Sequence, residues 1–361
     1  MPAGAKTRYL VTGGAGFIGS HLVEALLARG DSVVVLDNLS TGRLTNLDGV
    51  GRLPDFRFVH GSVLDELVVD ELVHQCDVVI HLAAAVGVKQ VIEHPLKSLT
   101  TNIGGSQVVI EAAHRYRRKI LLASTSEIYG KNGSGPLAET ADRVLGSPSV
   151  FRWAYSTAKA VDEILANCYH RERGLPTIVV RLFNTVGPRQ SPAYGMVLPE
   201  LVRQAVRGEP LTVYGDGGQT RCFAHVIDVV DALLRLLDED GAIGETFNVG
   251  GAEEISIRRL AETIIARAAS TSAIRLISYD EAYGPGFEDM RRRVPDTTKL
   301  RALTGWAPRR SLDDVLGDTI AEARRELALA GDLGSGATVS ARIVPGELVS
   351  GDLVSGDLVS G

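Results

Sequence analysis

Short, almost continuous apolar runs alternate with stretches of helical period through the first half of the chain. The segments "RYLVTG", "SVVVLD", "FRFVHG", "DVVIHLAA", "KILLAST" and "TIVVRLFN" each predict a strand. Between them, Phe17–Arg29, Pro95–Tyr116 and Trp153–Arg173 predict helices. Strands with no polar alternation are buried on both faces, which implies a parallel sheet covered by helices: an α/β, Rossmann-type doubly wound fold. Beyond about Gly187 the pattern loosens, and Gly and Pro recur in "VGPRQSPAYG", "VYGDGGQT" and "AYGPGFED". The expected organisation is a nucleotide-binding domain over 1–186, a smaller and mainly substrate-binding lobe over 187–330, and a low-complexity tail over 331–361. The tail ends in the pentapeptide repeat "GELVSGDLVSGDLVSG", too short and too polar to bury a core.

Composition narrows the possibilities. The 361 residues carry a formal net charge of −6 without a basic block, which argues against nucleic acid as a partner. No apolar run approaches the ~18 residues of a membrane span, and the opening "MPAGAKTRYL" lacks the apolar core of a signal peptide. Cys76, Cys168 and Cys222 are far apart, which fits neither a metal site nor a disulfide framework and suits a reducing cytoplasm. No metal is expected.

The first chemical signal is "TGGAGFIGS", placed where the first strand gives way to the first helix. Its glycines, Gly13, Gly16 and Gly19, allow a tight turn and a close approach of backbone to a pyrophosphate. The helix that opens at Phe17 and Ile18 then presents its N-terminus to that charge. Asp37 ends the second strand, where a carboxylate accepts hydrogen bonds from an adenosine ribose and repels a 2′-phosphate, so NAD is favoured over NADP. The second signal is "YSTAK": Tyr155 and Lys159, four apart, share one helix face. A free phenol titrates near ~10 and is a poor base at neutral pH. A lysine cation at ~4 Å, with an effective dielectric of ~20, would favour phenolate by ~4 kcal/mol, roughly three pKa units before solvation costs. The third is the end of the fifth strand, "STSEIYG", where an apolar run finishes in Thr125, Ser126 and Glu127.

Taken together, "TGGAGFIGSH", "HLAA", "STSEIYG", "YSTAK", "RLFNTVGPR" and "LTVYGDGGQTR" resemble the extended short-chain dehydrogenases/reductases of the nucleotide-sugar epimerase/dehydratase family, over about Arg8 to Ala328. The resemblance implies further NAD contacts from Asn38, Ser40, Gly42, Ser62, Val63, Leu82, Ala83 and Ala84. It implies that Thr125 binds the sugar O4 from which Tyr155 takes a proton. C4-isomerising members usually carry a small uncharged residue at the place of Glu127, and the glucose-type 4,6-dehydratases an Asp-Glu pair. Thr-Ser-Glu resembles the UDP-glucuronate decarboxylases and also occurs in GDP-mannose 4,6-dehydratases; in the decarboxylase reading Glu127 is expected to position the sugar and to shuttle a proton at C5.

Two more segments resemble the decarboxylases: "FRWAYS", with Arg152, and "YGPGFEDMRRRVPD", with Phe287 and Arg293. The resemblance puts Arg293 beside the substrate carboxylate and the enolate left by CO₂. It also implies that Asn184 meets the diphosphate, and that Thr212, Tyr214, Gln219 and Arg221 wrap the uridine nucleotide. Read as plain residues, Arg291-Arg292-Arg293 could equally be a solvated charge cluster. The expected activity is NAD-dependent decarboxylation of UDP-glucuronate to UDP-4-keto-pentose or UDP-xylose by a homodimer paired through the helices near 95–116 and 153–173. A 4-epimerase or 4,6-dehydratase is the alternative.

Overall fold

The computed structural model describes residues 6–192, 195–284 and 288–334. Phe287 and the pentapeptide repeat lie outside the described residues. Residues up to Arg324 belong to one compact unit. From Arg325 a second, small unit begins, of which the described part, to Gly334, is the end of a helix that starts at Leu312.

Six of the expected runs form strands: β1 (Arg8–Thr12), β2 (Ser32–Asp37), β3 (Phe56–His60), β4 (Val78–His81), β5 (Lys119–Thr125) and β6 (Thr177–Leu182). They pair in parallel, and a seventh strand, Thr246–Val249, closes the far edge against β6. The order is Thr246–Val249, β6, β5, β4, β1, β2, β3. Strand order therefore reverses between β1 and β4, and a crevice opens there at the carboxyl ends of the strands.

Helices Phe17–Ala28 and Val226–Asp238 cover one face of the sheet, with Leu22, Val23, Leu26, Val229, Leu233 and Leu236 meeting Val11, Val35, Ile80 and Val180. Glu66–Gln75, Gly105–Arg115 and Ala154–Arg173 cover the other, where Val69, Leu72, Val109, Ile110 and Ala166 meet Leu10, Val79, Ile120 and Val179. Each such fully buried aliphatic side chain contributes roughly 1.5–3 kcal/mol. Residues beyond 187 build a further core around Leu198, Leu201, Val213, Leu260, Ile264 and Leu316. They also supply Thr246–Val249 and Val226–Asp238 to the main sheet and its cover.

One expected helix differs in detail. The stretch Pro95–Tyr116 is helical from Pro95 to Leu99, passes through a π-helical turn at Thr100–Gly104, and resumes as Gly105–Arg115. The turn brings Asn102 under the loop after β4, where its side chain accepts from Ala85 N at 2.7 Å and donates to Ala85 O at 3.1 Å. A π-turn of this kind is common beside functional sites.

Candidate functional site

A cavity of ≈ 480 Å³ runs along the crevice, from the glycine turn after β1 to the segment around Arg293. At one end, Gly13 has φ +73°, and a Cβ there would lie 2.8 Å from Ala83 N. Gly19 lies so close beneath the turn that a Cβ would sit 2.2 Å from Gly13 O. Helix Phe17–Ala28 starts at Gly16 with no side-chain cap and no acidic residue in its first turn, so its N-terminal amides face the cavity uncompensated. Gly13, Gly16, Phe17, Ile18 and Gly19 all line the space. This is a cradle fitted to a pyrophosphate.

Asp37 lies at the end of β2 and is already in use: Oδ1 accepts from Leu39 N at 2.8 Å and Oδ2 from Ala15 N at 3.0 Å. Two of the carboxylate's roughly four acceptor directions remain, enough for a ribose diol. Asn38, Ser40, Val63, Leu82, Ala83 and Ala84 line the same end. Gly42 and Ser62, expected among the cofactor contacts, do not line the cavity. Gly42 packs behind it, where a Cβ would meet Ala15 C at 2.8 Å and Asp37 Oδ2 at 3.1 Å. Ser62 instead tightens its own turn, its Oγ accepting from Leu64 N at 3.2 Å.

At the middle of the cavity β5 delivers Thr125, Ser126 and Glu127 to the face of helix Ala154–Arg173 that carries Tyr155 and Lys159. Thr125 and the phenol of Tyr155 line the same part of the cavity. The acidified phenol expected from the lysine spacing is not what the unliganded protein holds. Burial, and then the charges of Glu127 and Asp162, raise the Tyr155 phenol well above the usual tyrosine value, with only the neighbouring Thr125 opposing them. Lys159 is engaged elsewhere: Nζ donates to Asp162 Oδ2 at 3.0 Å, and both side chains are 3% exposed.

The sugar end is a knot of buried charge. Arg152 donates from Nη1 to Glu127 Oε2 at 2.5 Å and from Nη2 to Glu127 Oε1 at 3.1 Å, and its Nη2 lies 3.5 Å from Asp289 Oδ1. Arg221 Nη2 donates to Asp289 Oδ2 at 3.1 Å. Arg293 Nη1 reaches Glu127 Oε1 at 3.5 Å, while its Nη2 donates to Asn184 Oδ1. Burial pushes the Glu127 carboxyl up, but Arg152, Arg293 and Arg221 outweigh it, and the net shift is downward. Burial and the neighbouring Arg221 lower Arg293 to about 10, which still leaves it protonated at neutral pH.

Strand pairing explains why one arginine of three enters the site. Arg292–Arg293 runs parallel to Thr220–Cys222 with Arg293 opposite Arg221. Side chains alternate along a strand, so Arg292 turns out to Glu254 at 2.8 Å and Arg293 turns in; Arg291 pairs at the surface with Asp216 at 2.9 Å. Asn184 also donates to Cys222 O at 3.0 Å, so its amide ties β6's exit loop to this strand pair. Thr212 is gripped by Gln204, whose Oε1 accepts from Thr212 N at 2.9 Å, and Gln219 donates to Tyr214 O at 3.1 Å. Tyr214 stacks edge-on with Tyr283, ring centroids 5.3 Å apart, to form an aromatic wall.

Two acids in the site were not singled out from the sequence. Asp289 bridges Arg152 and Arg221, and its place beside the arginine run "RRR" was the available hint. Asp162 holds Lys159, and its i,i+3 spacing from that lysine was visible. His81, in "HLAA", is buried between Thr12 Oγ1 at 2.8 Å and Ser106 Oγ at 3.1 Å; burial, and then Lys159, lower it to about 3, so it is neutral.

A doubly wound sheet, an uncapped glycine-turn helix and a Thr–Tyr–Lys group in one crevice define a dinucleotide-dependent enzyme of the extended short-chain dehydrogenase/reductase class. The description of the GDP-mannose 4,6 dehydratase family matches residues 10–319, and the chain belongs to that family. It is 41% identical to the UDP-N-acetyl-alpha-D-glucosaminuronate decarboxylase of Bacillus cytotoxicus, over 87% of this chain and 97% of that protein. It is 36% identical to UDP-glucuronic acid decarboxylase 2 of Arabidopsis thaliana, over 94% of this chain and 74% of that one. Among solved structures, the UDP-glucose 4-epimerase of Thermotoga maritima with UDP-glucose superposes with a TM-score of 0.80 at 32% identity, over 89% of this chain and 99% of that chain. The dTDP-glucose 4,6-dehydratase of Streptomyces venezuelae with NAD superposes at 0.81 and 31% identity, over 89% and 98%.

Proposed function

We propose that the chain is an NAD-dependent UDP-glucuronate decarboxylase. The observation that carries this reading is the charge balance at the sugar end. Arg152 and Arg293 both reach the single carboxylate of Glu127, which leaves one positive charge in excess beside the sugar, while Asp289 takes Arg221 on the nucleotide side at 3.1 Å. A buried cation calls for an anionic partner, and a sugar that bears a carboxylate supplies one where a neutral hexose does not. The decarboxylase relatives support the same choice.

Tyr155 takes the proton from the sugar O4 hydroxyl, which Thr125 orients. Bound NAD supplies the acceptor for the C4 hydride. Once C4 is a ketone, the C5 carboxylate is that of a β-keto acid. The C5–carboxylate bond breaks, CO₂ leaves, and the electron pair spreads over C5, C4 and O4 as an enolate. Arg293 stabilises that charge until C5 takes its proton from solvent water. Glu127, held ionised by Arg152, accepts hydrogen bonds from the sugar rather than donating a proton. Asn184, Thr212, Tyr214, Gln219 and Arg221 hold the uridine diphosphate. Phe287, outside the described residues, belongs to the same substrate group by sequence resemblance. UDP-4-keto-pentose results if the ketone leaves unreduced, UDP-xylose if it is reduced on the enzyme.

Two copies of the chain pair through the helices near 95–116 and 153–173. Leu96, 77% exposed, and Ile164, 57% exposed, support that pairing. The unpaired cysteines Cys76, Cys168 and Cys222 support a cytoplasmic setting. Among the described residues no helix is long and apolar enough to cross a membrane.

The test is incubation with NAD and UDP-glucuronate, followed by mass spectrometry for CO₂ loss and a pentose nucleotide. A second reading, with the 2-acetamido uronate as substrate, is favoured by the 41% identity to the Bacillus enzyme; faster loss of CO₂ from that sugar would select it. Turnover of UDP-glucose or GDP-mannose without CO₂ would replace both with an epimerase or a dehydratase.

A further inference from the structure

The Tyr155 helix carries an acid that the reaction scheme leaves unused. Asp162 lies one turn beyond Lys159, on the same buried face, and takes its ammonium at 3.0 Å. The other carboxylate oxygen, Oδ1, is buried and has no hydrogen-bond partner among the described residues. A buried carboxylate so poorly satisfied is retained at a cost, and what it secures here is the position and charge of Lys159.

The neighbouring acids are differently placed. Glu163, next along the helix, is neutralised from β6 by Arg181, at 2.8 Å, and takes a hydrogen bond from Ser124 of β5. Glu127, from the turn after β5, is held by Arg152 and Arg293. His81, from β4, is neutral beside Lys159. Among the described residues, Asp162 has Lys159 alone.

We propose that Asp162 is a positioning residue which engages Lys159 in the ligand-free enzyme and so sets the pH at which Tyr155 can act as a base. Asp162 opposes phenolate twice: its own charge repels the phenolate, and its bond turns the lysine cation away from it. The burial of Tyr155 and the upward pull of Asp162 on its phenol agree with this. Ligands that draw Lys159 off Asp162 convert the same lysine from a spectator into the group that acidifies the phenol. The proposal rests on the assignment of Tyr155 as the base.

The test starts with the ligand-free protein. The tyrosinate absorbance that belongs to Tyr155 is isolated as the difference between each protein and its Y155F partner, and titrated. In the wild type the step lies above the free-phenol value of about 10. In D162N it is expected to fall by about one pH unit or more. The acid limb of kcat/KM should move down by the same amount, a tenfold gain well below the limb. D162S serves if the amide is not tolerated, and D162E, which keeps the charge, should stay at the wild-type position. Wild-type titration of Tyr155 in both D162N and D162S would overturn the proposal. Because the absorbance readout needs no sugar, a shifted tyrosine with no turnover of UDP-glucuronate would count against the substrate assignment alone.

Discussion

Arg152 grips Glu127 with both terminal nitrogens, at 2.5 and 3.1 Å, with Arg152 5% and Glu127 14% exposed. Removing one member of such a pair strands the other. Arg152→Ala should therefore destabilise the fold by about 3–5 kcal/mol, read as a lower denaturation midpoint with an unchanged slope. Replacing both members together, in Arg152→Met with Glu127→Gln, should recover a large part of that loss. An Arg152→Ala variant as stable as the wild type would show that Glu127 finds its charge balance elsewhere.

Arg293 acts after oxidation at C4, so its loss should split the reaction. In Arg293→Ala, CO₂ release is expected to slow by about 10²–10³-fold, the usual penalty for losing one donor to a developing oxyanion. Absorbance of the reduced nicotinamide should still rise when UDP-glucuronate is added. Rapid-mixing absorbance together with CO₂ trapping separates the two steps, and equal loss of both would assign Arg293 to binding instead.

The same logic predicts the opposite split at Tyr155. Tyr155→Phe removes the proton acceptor for O4 and should lower kcat by about 10²–10⁴-fold, with no rise in nicotinamide absorbance. NAD affinity, measured by calorimetry, should hold. Gly19→Ala reverses that outcome: its Cβ would lie 2.2 Å from Gly13 O and 2.7 Å from Gly14 Cα. Backbone must move to admit it, the pyrophosphate turn is displaced, and NAD affinity should drop tenfold or more.

The glycine turn, Asp37 and the Tyr–Lys helix were legible in the sequence because each depends on local geometry, namely a turn, a strand end and one helix face. The strands β1 to β6 were legible because burial on both faces leaves an unbroken apolar run. What local pattern does not encode was missed. The strand Thr246–Val249 is only four residues long and lies among Gly-rich loops, so nothing near it marks a partner far back in the chain. The roles of Asp289 and Asp162 depend on which cations the fold brings to them, and a list of acids gives no such ranking. The sequence put Tyr155 and Lys159 on one helix face, but spacing on a helix does not reveal the carboxylate of Asp162 one turn on that takes Lys159 in the ligand-free protein. Gly42 and Ser62 were placed by resemblance, and neither lines the cavity in the ligand-free protein.

Buried His81 gives the fold a pH dependence with a definite sign. Its folded value of about 3 lies below the unfolded value of about 6.5. Between those limits the unfolded chain binds the extra proton, so stability is complete above pH ~6.5 and falls as the pH drops toward ~3. The loss should reach roughly 3 kcal/mol by pH ~4. Denaturant titrations at a series of pH values on wild type and His81→Gln should show a shallower decline in the variant; equal slopes would mean that other groups carry the acid sensitivity.

The far edge of the main sheet has a consequence for synthesis of the chain on the ribosome. β6 receives its outer neighbour only when Thr246–Val249 emerges, with Phe247 set opposite Val180. Until then a nascent chain exposes the open amides and carbonyls of an apolar strand, a template for pairing with the wrong molecule. Fragments cut near residue 187 would keep that raw edge permanently. They should accumulate as aggregates rather than as a working nucleotide-binding half.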